Sequence, residues 1–168
     1  MEKSPLRTVS FWAAISLVVL TVFLMSLVYF RYVHLHVMVV PFYVHHWMSI
    51  AGTLFIALFT PAYSYLKRHN PTHYNAIVNA HVFGSLISVM LISIHFTQQV
   101  SRPAQSYPNL ATGVVLYAVM IIFVFTGFLL RFHFARSIHK VWRFLHTSFA
   151  LSFYLIIVVH ILHGLQFI

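Results

Sequence analysis

Four histidines stand in two pairs of equal spacing within strongly apolar parts of the chain. His81 and His95 are 14 residues apart, and His146 and His160 are also 14 residues apart. On an α-helix, 14 residues make about four turns and span about 21 Å, so the two members of a pair return to nearly the same face. A polar ring in hydrocarbon costs free energy unless it is bonded, and intramembrane ionisable groups usually serve a function. These four side chains are therefore the first candidates for binding a ligand.

Imidazole pairs at two depths suit a flat cofactor with two axial nitrogen ligands. The two helices that carry the pairs are separated by one antiparallel helix, so they run in the same direction and place the histidines at two matched levels. Haem iron accepts a neutral imidazole on each side of its plane. We predict an inner haem b held by His81 and His146, and an outer haem b held by His95 and His160. The alternative is that these histidines hydrogen-bond to neighbouring membrane helices.

Three other histidines compete with or adjoin this set. His163 follows His160 by three residues, but its distance of 17 residues from His146 rotates it about 100° off the shared face. We therefore prefer His160 as the outer ligand. His45 and His46 lie at the start of the second apolar run. We expect them either to hydrogen-bond a quinone head group or a haem propionate, or to lie at the membrane interface without a specific role.

A second pattern with the same spacing occurs in the glycines. Only five glycines are present, yet Gly113 and Gly127 are 14 residues apart in one apolar run, and a threonine precedes each. A glycine lets a bulky group approach the backbone closely. On a helix running back inward, Gly113 is level with the outer histidines and Gly127 with the inner ones, so we expect room for a porphyrin edge at each level. Gly84, near His81, would widen the site; helix packing through small residues is the alternative.

Arginines near the histidines suggest partners for the haem propionates. Arg143 precedes His146 by three residues and shares its helix face, so we assign it to the inner haem. Arg102, seven residues after His95, is assigned to the outer haem. Both arginines also serve as topology signals, which is the alternative role.

The elements that must position these residues are membrane helices. The chain has 168 residues, of which 61% are hydrophobic and 7% are charged, a composition typical of a polytopic membrane protein. A helix needs about 20 apolar residues to cross a bilayer. Five runs qualify: 11–30, 46–66, 74–96, 110–130 and 141–165. We predict an all-α fold with five transmembrane helices in a single transmembrane domain over residues 1–168. Residues 1–32 form a peripheral first helix, and residues 45–168 form a four-helix di-haem bundle. Pro61 is expected near the end of the second span.

The charged residues predict orientation and exclude several function classes. Basic residues cluster before span one, between spans two and three, and between spans four and five, which predicts a cytoplasmic N-terminus and an outer C-terminus in the cell membrane. The positive charges lie between apolar spans, so we do not expect nucleic acid as a partner. The only acidic residue is Glu2, which excludes carboxylate-pair catalysis, and the absence of cysteine excludes iron–sulfur and thiolate metal sites held by this chain.

Several segments resemble di-haem cytochromes b. The fifth span, with "WRFLH" followed by "VVHILHG", is similar to the matching helix of the ferric-reductase-like transmembrane family, which includes NADPH oxidase membrane domains. "AHVFGSLISVMLISIHF" resembles its third helix, and "TGVVLYAVMIIFVFTGFLLRFHF" resembles the helix between them. The glycine spacing is also similar to that of respiratory cytochrome b. The resemblance covers spans two to five and implies that His81 with His146, and His95 with His160, ligate two b-type haems.

Together, residues and resemblance predict transmembrane electron transfer. We expect the chain to be the membrane cytochrome b subunit of an oxidoreductase complex rather than a complete enzyme, because the sequence contains no flavin- or nicotinamide-binding segment. Other subunits, membrane lipid and a quinone are the expected partners. Two alternatives remain: a metal-ion or proton transporter that uses intramembrane histidines, and a structural membrane subunit.

Overall fold

The computed structural model describes residues 8–102, 111–134 and 136–164. In these ranges the fold is almost entirely helical, and five helices are long and apolar enough to cross a membrane. The helices are α1 (Val9–Tyr29), α2 (Val44–His69), α3 (Tyr74–Val100), α4 (Ala111–Arg131) and α5 (His139–Gly164). Short 3₁₀ turns, Pro71–His73 and Arg136–Ile138, precede α3 and α5. The prediction of an all-α polytopic membrane protein with five spanning helices is confirmed.

The second helix is longer than its apolar run suggests. It passes through Pro61 and ends only at His69, after a last turn that contains Lys67 and Arg68. Cations in the last turn interact favourably with the helix dipole, which helps the helix continue beyond the apolar run. The expectation that Pro61 lies near the end of the span was wrong, because a proline inside a membrane helix is tolerated where neighbouring groups satisfy the backbone.

A small β-hairpin precedes α2 and was not predicted. Strands β1 (Met38–Val39) and β2 (Phe42–Tyr43) pair in an antiparallel register. The hairpin is fixed to α2 because the Trp47 indole donates a hydrogen bond of 2.8 Å to the Val39 carbonyl. The hairpin therefore sets where the first turn of α2 lies, and with it two of the thirteen histidines, His45 and His46.

The chain forms two compact units, Met1–Pro103 and Ala104–Ile168. In the first unit α3 packs against both α1 and α2, and the Arg31 guanidinium donates a hydrogen bond of 3.0 Å to the Ser101 carbonyl beyond the end of α3. In the second unit α4 packs against α5. The four-helix bundle expected over residues 45–168 stays a prediction.

Polarity is distributed as expected of helices in lipid. Large apolar side chains face outward, and Leu58, Phe144 and Leu155 are each more than 60% exposed. Polar side chains lie inside, among them His45, Ser93 and Thr126. Many hydroxyls bond to a carbonyl of the preceding helical turn, which satisfies them without water. These pairs are Thr21 with Leu17, Ser26 with Val22, Ser88 with Gly84, Thr97 with Ser93, Thr147 with Arg143, and Ser152 with Ser148.

Candidate cofactor-binding and metal-binding histidines

His146 on α5 is held against α4 by a closed set of hydrogen bonds. Its Nδ1 lies 3.0 Å from the Phe123 carbonyl oxygen and 3.3 Å from the Thr126 Oγ1. The Thr126 hydroxyl donates its own hydrogen to the same Phe123 carbonyl at 2.8 Å. The Phe123 ring also stacks on the imidazole, with centroids 4.7 Å apart. Ring position and ring orientation are therefore both fixed from α4.

These contacts determine which nitrogen of His146 carries the proton. The Phe123 carbonyl can only accept, and the Thr126 hydroxyl has already committed its hydrogen to that carbonyl. Nδ1 is therefore the protonated nitrogen of the neutral ring, and Nε2 carries the lone pair. Metal-bound histidines commonly donate the second ring N–H to a backbone carbonyl in this way, which fixes the tautomer and makes the ligand nitrogen more basic.

His160, four turns further along α5, repeats part of this arrangement. Its Nδ1 lies 3.2 Å from the Thr112 Oγ1, one residue before Gly113. His146 likewise meets Thr126, one residue before Gly127. Fourteen residues up α5 thus correspond to fourteen residues down α4, and each histidine meets one Thr–Gly step. When the Thr112 hydroxyl accepts, Nε2 is the lone-pair nitrogen of His160 as well.

The two glycines of α4 lie directly against these imidazoles. A Cβ placed on Gly127 would lie 2.8 Å from the His146 Cε1, whereas a Cβ on Gly113 would lie 3.4 Å from the His160 Cε1. The first distance is a steric overlap and the second is an ordinary contact. Within the second unit, the space beside each glycine is thus occupied by a histidine ring. The expected porphyrin edge at these glycines stays a prediction.

The α3 histidines meet side chains of α2. The Tyr63 ring stacks on the His81 ring with centroids 4.2 Å apart and planes 18° apart. Gly84, one turn after His81, accommodates the Phe55 ring, which lies where a Cβ would be. Gly84 therefore serves the α2–α3 contact, and its predicted role beside a haem stays a prediction.

His95 belongs to a cluster of three histidines, which we call the α2–α3 histidine cluster: His45, His46 and His95. The Nδ1 atoms of His45 and His95 lie 3.1 Å apart, a hydrogen-bonding distance. Each of the three rings offers a nitrogen within 4.8 Å of those of the other two. Sequence reasoning gave His45 and His46 a minor role, since no local pattern links them to a residue some fifty positions away.

The remaining predicted site residues have simpler surroundings. Arg143 is exposed on α5, one turn before His146, and its backbone carbonyl accepts a hydrogen bond from Thr147. Arg102 lies just beyond the end of α3 and interacts electrostatically with His45 and His46. Both propionate assignments stay predictions, and so does the preference for His160 over His163.

The axial pairs combine residues of different units, so they also stay predictions. What the structure adds is a set of ring partners that sequence reasoning had not assigned to any histidine: Thr112, Thr126, Phe123 and Tyr63. The repeated Thr–Gly step was the signal in the sequence that could have identified the two threonines.

No protein-family model, no curated protein and no solved structure matches this chain.

Proposed function

We propose that this chain is a di-haem cytochrome b that carries single electrons across a cell membrane, with its N-terminus in the cytoplasm and its C-terminus outside. His81 and His146 are assigned to the inner haem, and His95 and His160 to the outer haem. The chain would act as the membrane subunit of an oxidoreductase complex, since its own sequence offers no nucleotide-binding segment to supply electrons.

The observation that carries this proposal is the tautomer of His146. An intramembrane imidazole that only stabilised helix packing would gain most by bonding through both nitrogens. Here one nitrogen is fixed as a donor to the Phe123 carbonyl and the ring is held by stacking. The lone-pair nitrogen, Nε2, is thereby pre-set as a ligand atom. Neutral imidazole with a fixed second nitrogen is the donor that haem iron takes in b-type cytochromes.

The residues of this chain would tune a bound haem rather than perform bond chemistry. Haem, when bound, supplies a one-electron ferric–ferrous couple. The Phe123 carbonyl and the Thr126 hydroxyl make the His146 ligand more electron-rich, which favours the ferric state. The apolar surroundings exclude water, and Arg143 and Arg102 are candidates to neutralise propionates. A quinone near one haem is the electron partner that fits a chain without a nucleotide site.

The test is the haem content of the purified full-length protein. We expect a reduced-minus-oxidised spectrum typical of b-type haem and, by pyridine haemochrome assay, about two haems per chain. His146→Ala and His81→Ala should each remove the same inner haem and leave about half of the absorbance. His95→Ala and His160→Ala should each remove the other.

His73→Gln is the matched control, because this histidine is exposed in the short turn before α3. It should keep the full haem content. A colourless protein would overturn the proposal. Full haem content in His146→Ala would show instead that the fixed tautomer serves helix packing alone.

A further inference from the structure

The α2–α3 histidine cluster has the geometry of a metal-binding site. His45 and His46 lie in the first turn of α2, and His95 lies near the end of α3. Ring centroids are 4.1 Å apart for His45 and His46, 5.2 Å for His45 and His95, and 5.1 Å for His46 and His95. Three imidazoles so close together cannot all be charged without strong repulsion, so the neutral, metal-binding form is favoured.

The cluster contains buried nitrogens that the protein does not satisfy. His45 is completely buried, with a relative exposure of 0%. Its Nε2 and the Nδ1 of His46 have no hydrogen-bond partner among the described residues. A buried donor or acceptor left without a partner costs about 1–3 kcal/mol. A ligand that binds ring nitrogens would remove part of that cost, whereas plain helix packing leaves it in place.

The donor set selects the class of metal. The cluster offers nitrogen alone, since the sequence has no cysteine and its single acid is Glu2. Calcium and magnesium require oxygen ligands, whereas imidazole suits zinc, copper and nickel. Two nitrogens bound to one tetrahedral zinc ion at 2.0–2.1 Å lie roughly 3.3 Å apart. The observed separation of 3.1 Å between the Nδ1 atoms of His45 and His95 is close to that value.

Other charges near the cluster act against a cation. Arg102 and His36 both interact electrostatically with His45 and His46. A divalent ion held by three neutral imidazoles keeps its full charge, so these groups would repel it. An anion or hydroxide in the fourth coordination position, facing Arg102, would offset this repulsion. Three histidines with one open position also make up a common zinc site in enzymes.

We propose that His45, His46 and His95 bind one divalent zinc or copper ion, with an external anion or water as the fourth ligand. This site does not rest on the proposed electron-transfer function. An imidazole has two ring nitrogens, so His95 can take part both in this site and in the outer haem site. A metal on the second nitrogen of a haem-bound ring would release its proton.

The experiment measures metal binding by the full-length protein in detergent. Any affinity tag must lack histidine, and resident metal is first removed with a chelator. Zinc is then titrated by calorimetry, and the bound metal is counted by mass spectrometry; copper is titrated separately. We expect about one ion per chain. Either His45→Gln or His46→Gln should weaken binding more than 10-fold, the scale at which even changes in the outer shell act.

His34→Gln is the control, because this exposed histidine lies near the hairpin but outside the cluster. It should bind zinc like the unchanged protein. Less than one ion bound by the unchanged protein, or equal affinity in both cluster variants, overturns the proposal. Two separate cluster variants are made so that the test survives if one of them fails to fold.

A crossed comparison separates this site from the haem proposal. His160→Gln should lose outer haem and keep zinc binding, whereas His46→Gln should keep haem and lose zinc binding. His95→Gln should lose both. Zinc binding in a protein that proves colourless would support the metal site and remove the haem assignment, and haem without zinc binding would do the reverse.

Discussion

Thr112 and Thr126 contribute similar hydroxyls to two histidines, but the histidines do not depend on them equally. His146 has the Phe123 carbonyl as a second acceptor for its Nδ1 proton, whereas Thr112 is the hydrogen-bond partner that the structure gives to the His160 Nδ1. The two Thr–Gly steps are therefore alike in sequence and unlike in consequence. This difference can be measured with one substitution at each step.

Thr112→Val should weaken outer haem binding more than Thr126→Val weakens inner haem binding. Valine keeps the shape of threonine and removes the hydroxyl, so the loss is about one hydrogen bond, worth about 1 kcal/mol. His146 retains its carbonyl acceptor in Thr126→Val. Haem retention during dilution, followed by absorbance, compares the two variants. Equal haem loss would show that the Phe123 carbonyl does not hold His146 in place.

The two glycines of α4 should respond differently to alanine. In Gly127→Ala the new methyl would overlap His146 at 2.8 Å, and the ring cannot retreat without breaking its bond to Phe123. We expect a loss of stability of about 1–3 kcal/mol, typical of overpacking, together with loss of inner haem. Gly113→Ala places its methyl at 3.4 Å from His160 and gains up to about 1 kcal/mol of helix propensity.

Thermal unfolding in detergent and the haem spectrum check this pair. Gly113→Ala should unfold at the same temperature as the unchanged protein or higher, with its haem content intact. If Gly127→Ala unfolds no earlier than Gly113→Ala, the position of His146 against α4 is wrong.

At the residue scale, spacing predicted faces better than it predicted partners. The 14-residue interval correctly placed His146 and His160 on one face of α5, since helix geometry alone determines that relation. It could not reveal that α4 fills the other side of each ring with a threonine hydroxyl. It also could not bring His45 next to His95, because that contact depends on how α2 and α3 pack.

At the scale of elements, α2 and α3 approach closely at two glycines that face different obstacles. A Cβ on Gly52 would meet the backbone of α3, 2.8 Å from the Ser88 carbonyl oxygen. A Cβ on Gly84 would meet the ring of Phe55, a side chain. Backbone cannot move without shifting a whole helix, whereas a side chain can be removed by substitution. The two contacts can therefore be told apart by rescue.

Gly84→Ala should destabilise the protein, and adding Phe55→Ala should relieve the steric overlap. Gly52→Ala should destabilise it by about 1–3 kcal/mol, and Phe55→Ala should give no relief there. Double-mutant cycles from thermal unfolding measure the coupling, which we expect only for the Gly84 and Phe55 pair. Coupling of the same size between Gly52 and Phe55 would contradict the packing of these two helices.

Helix existence was predictable from apolar run length, but the ends of the elements were not. All five spans were found near their expected positions. The extension of α2 from Pro61 to His69 depends on cations in its last turn, and the hairpin before α2 depends on a Trp47 contact to the backbone. Such local contacts leave little trace in hydropathy. The hairpin nonetheless matters, because it places the α2–α3 histidine cluster.

At the scale of the whole molecule, the proposed function depends on which face of the membrane each histidine level occupies. The basic residues predict that the turn before α3 and the turn before α5 lie in the cytoplasm, and that the hairpin before α2 lies outside. The sequence has no cysteine, so a single introduced cysteine reports its own position without background. Three positions suit this purpose because their side chains are exposed: Val37, Thr72 and Ser137.

In intact cells, Val37→Cys should react with a membrane-impermeant maleimide, and Thr72→Cys and Ser137→Cys should not. All three should react after the membrane is permeabilised, which controls for accessibility in the folded protein. The physical reason is that loops rich in lysine and arginine are retained on the cytoplasmic side. The opposite labelling pattern would invert the molecule, so that the level of His81 and His146 would face outward and the α2–α3 histidine cluster would face the cytoplasm. Labelling of Thr72→Cys and Val37→Cys from the same side would mean that α2 does not cross the membrane, which would remove the two-level arrangement on which electron transfer across the bilayer depends.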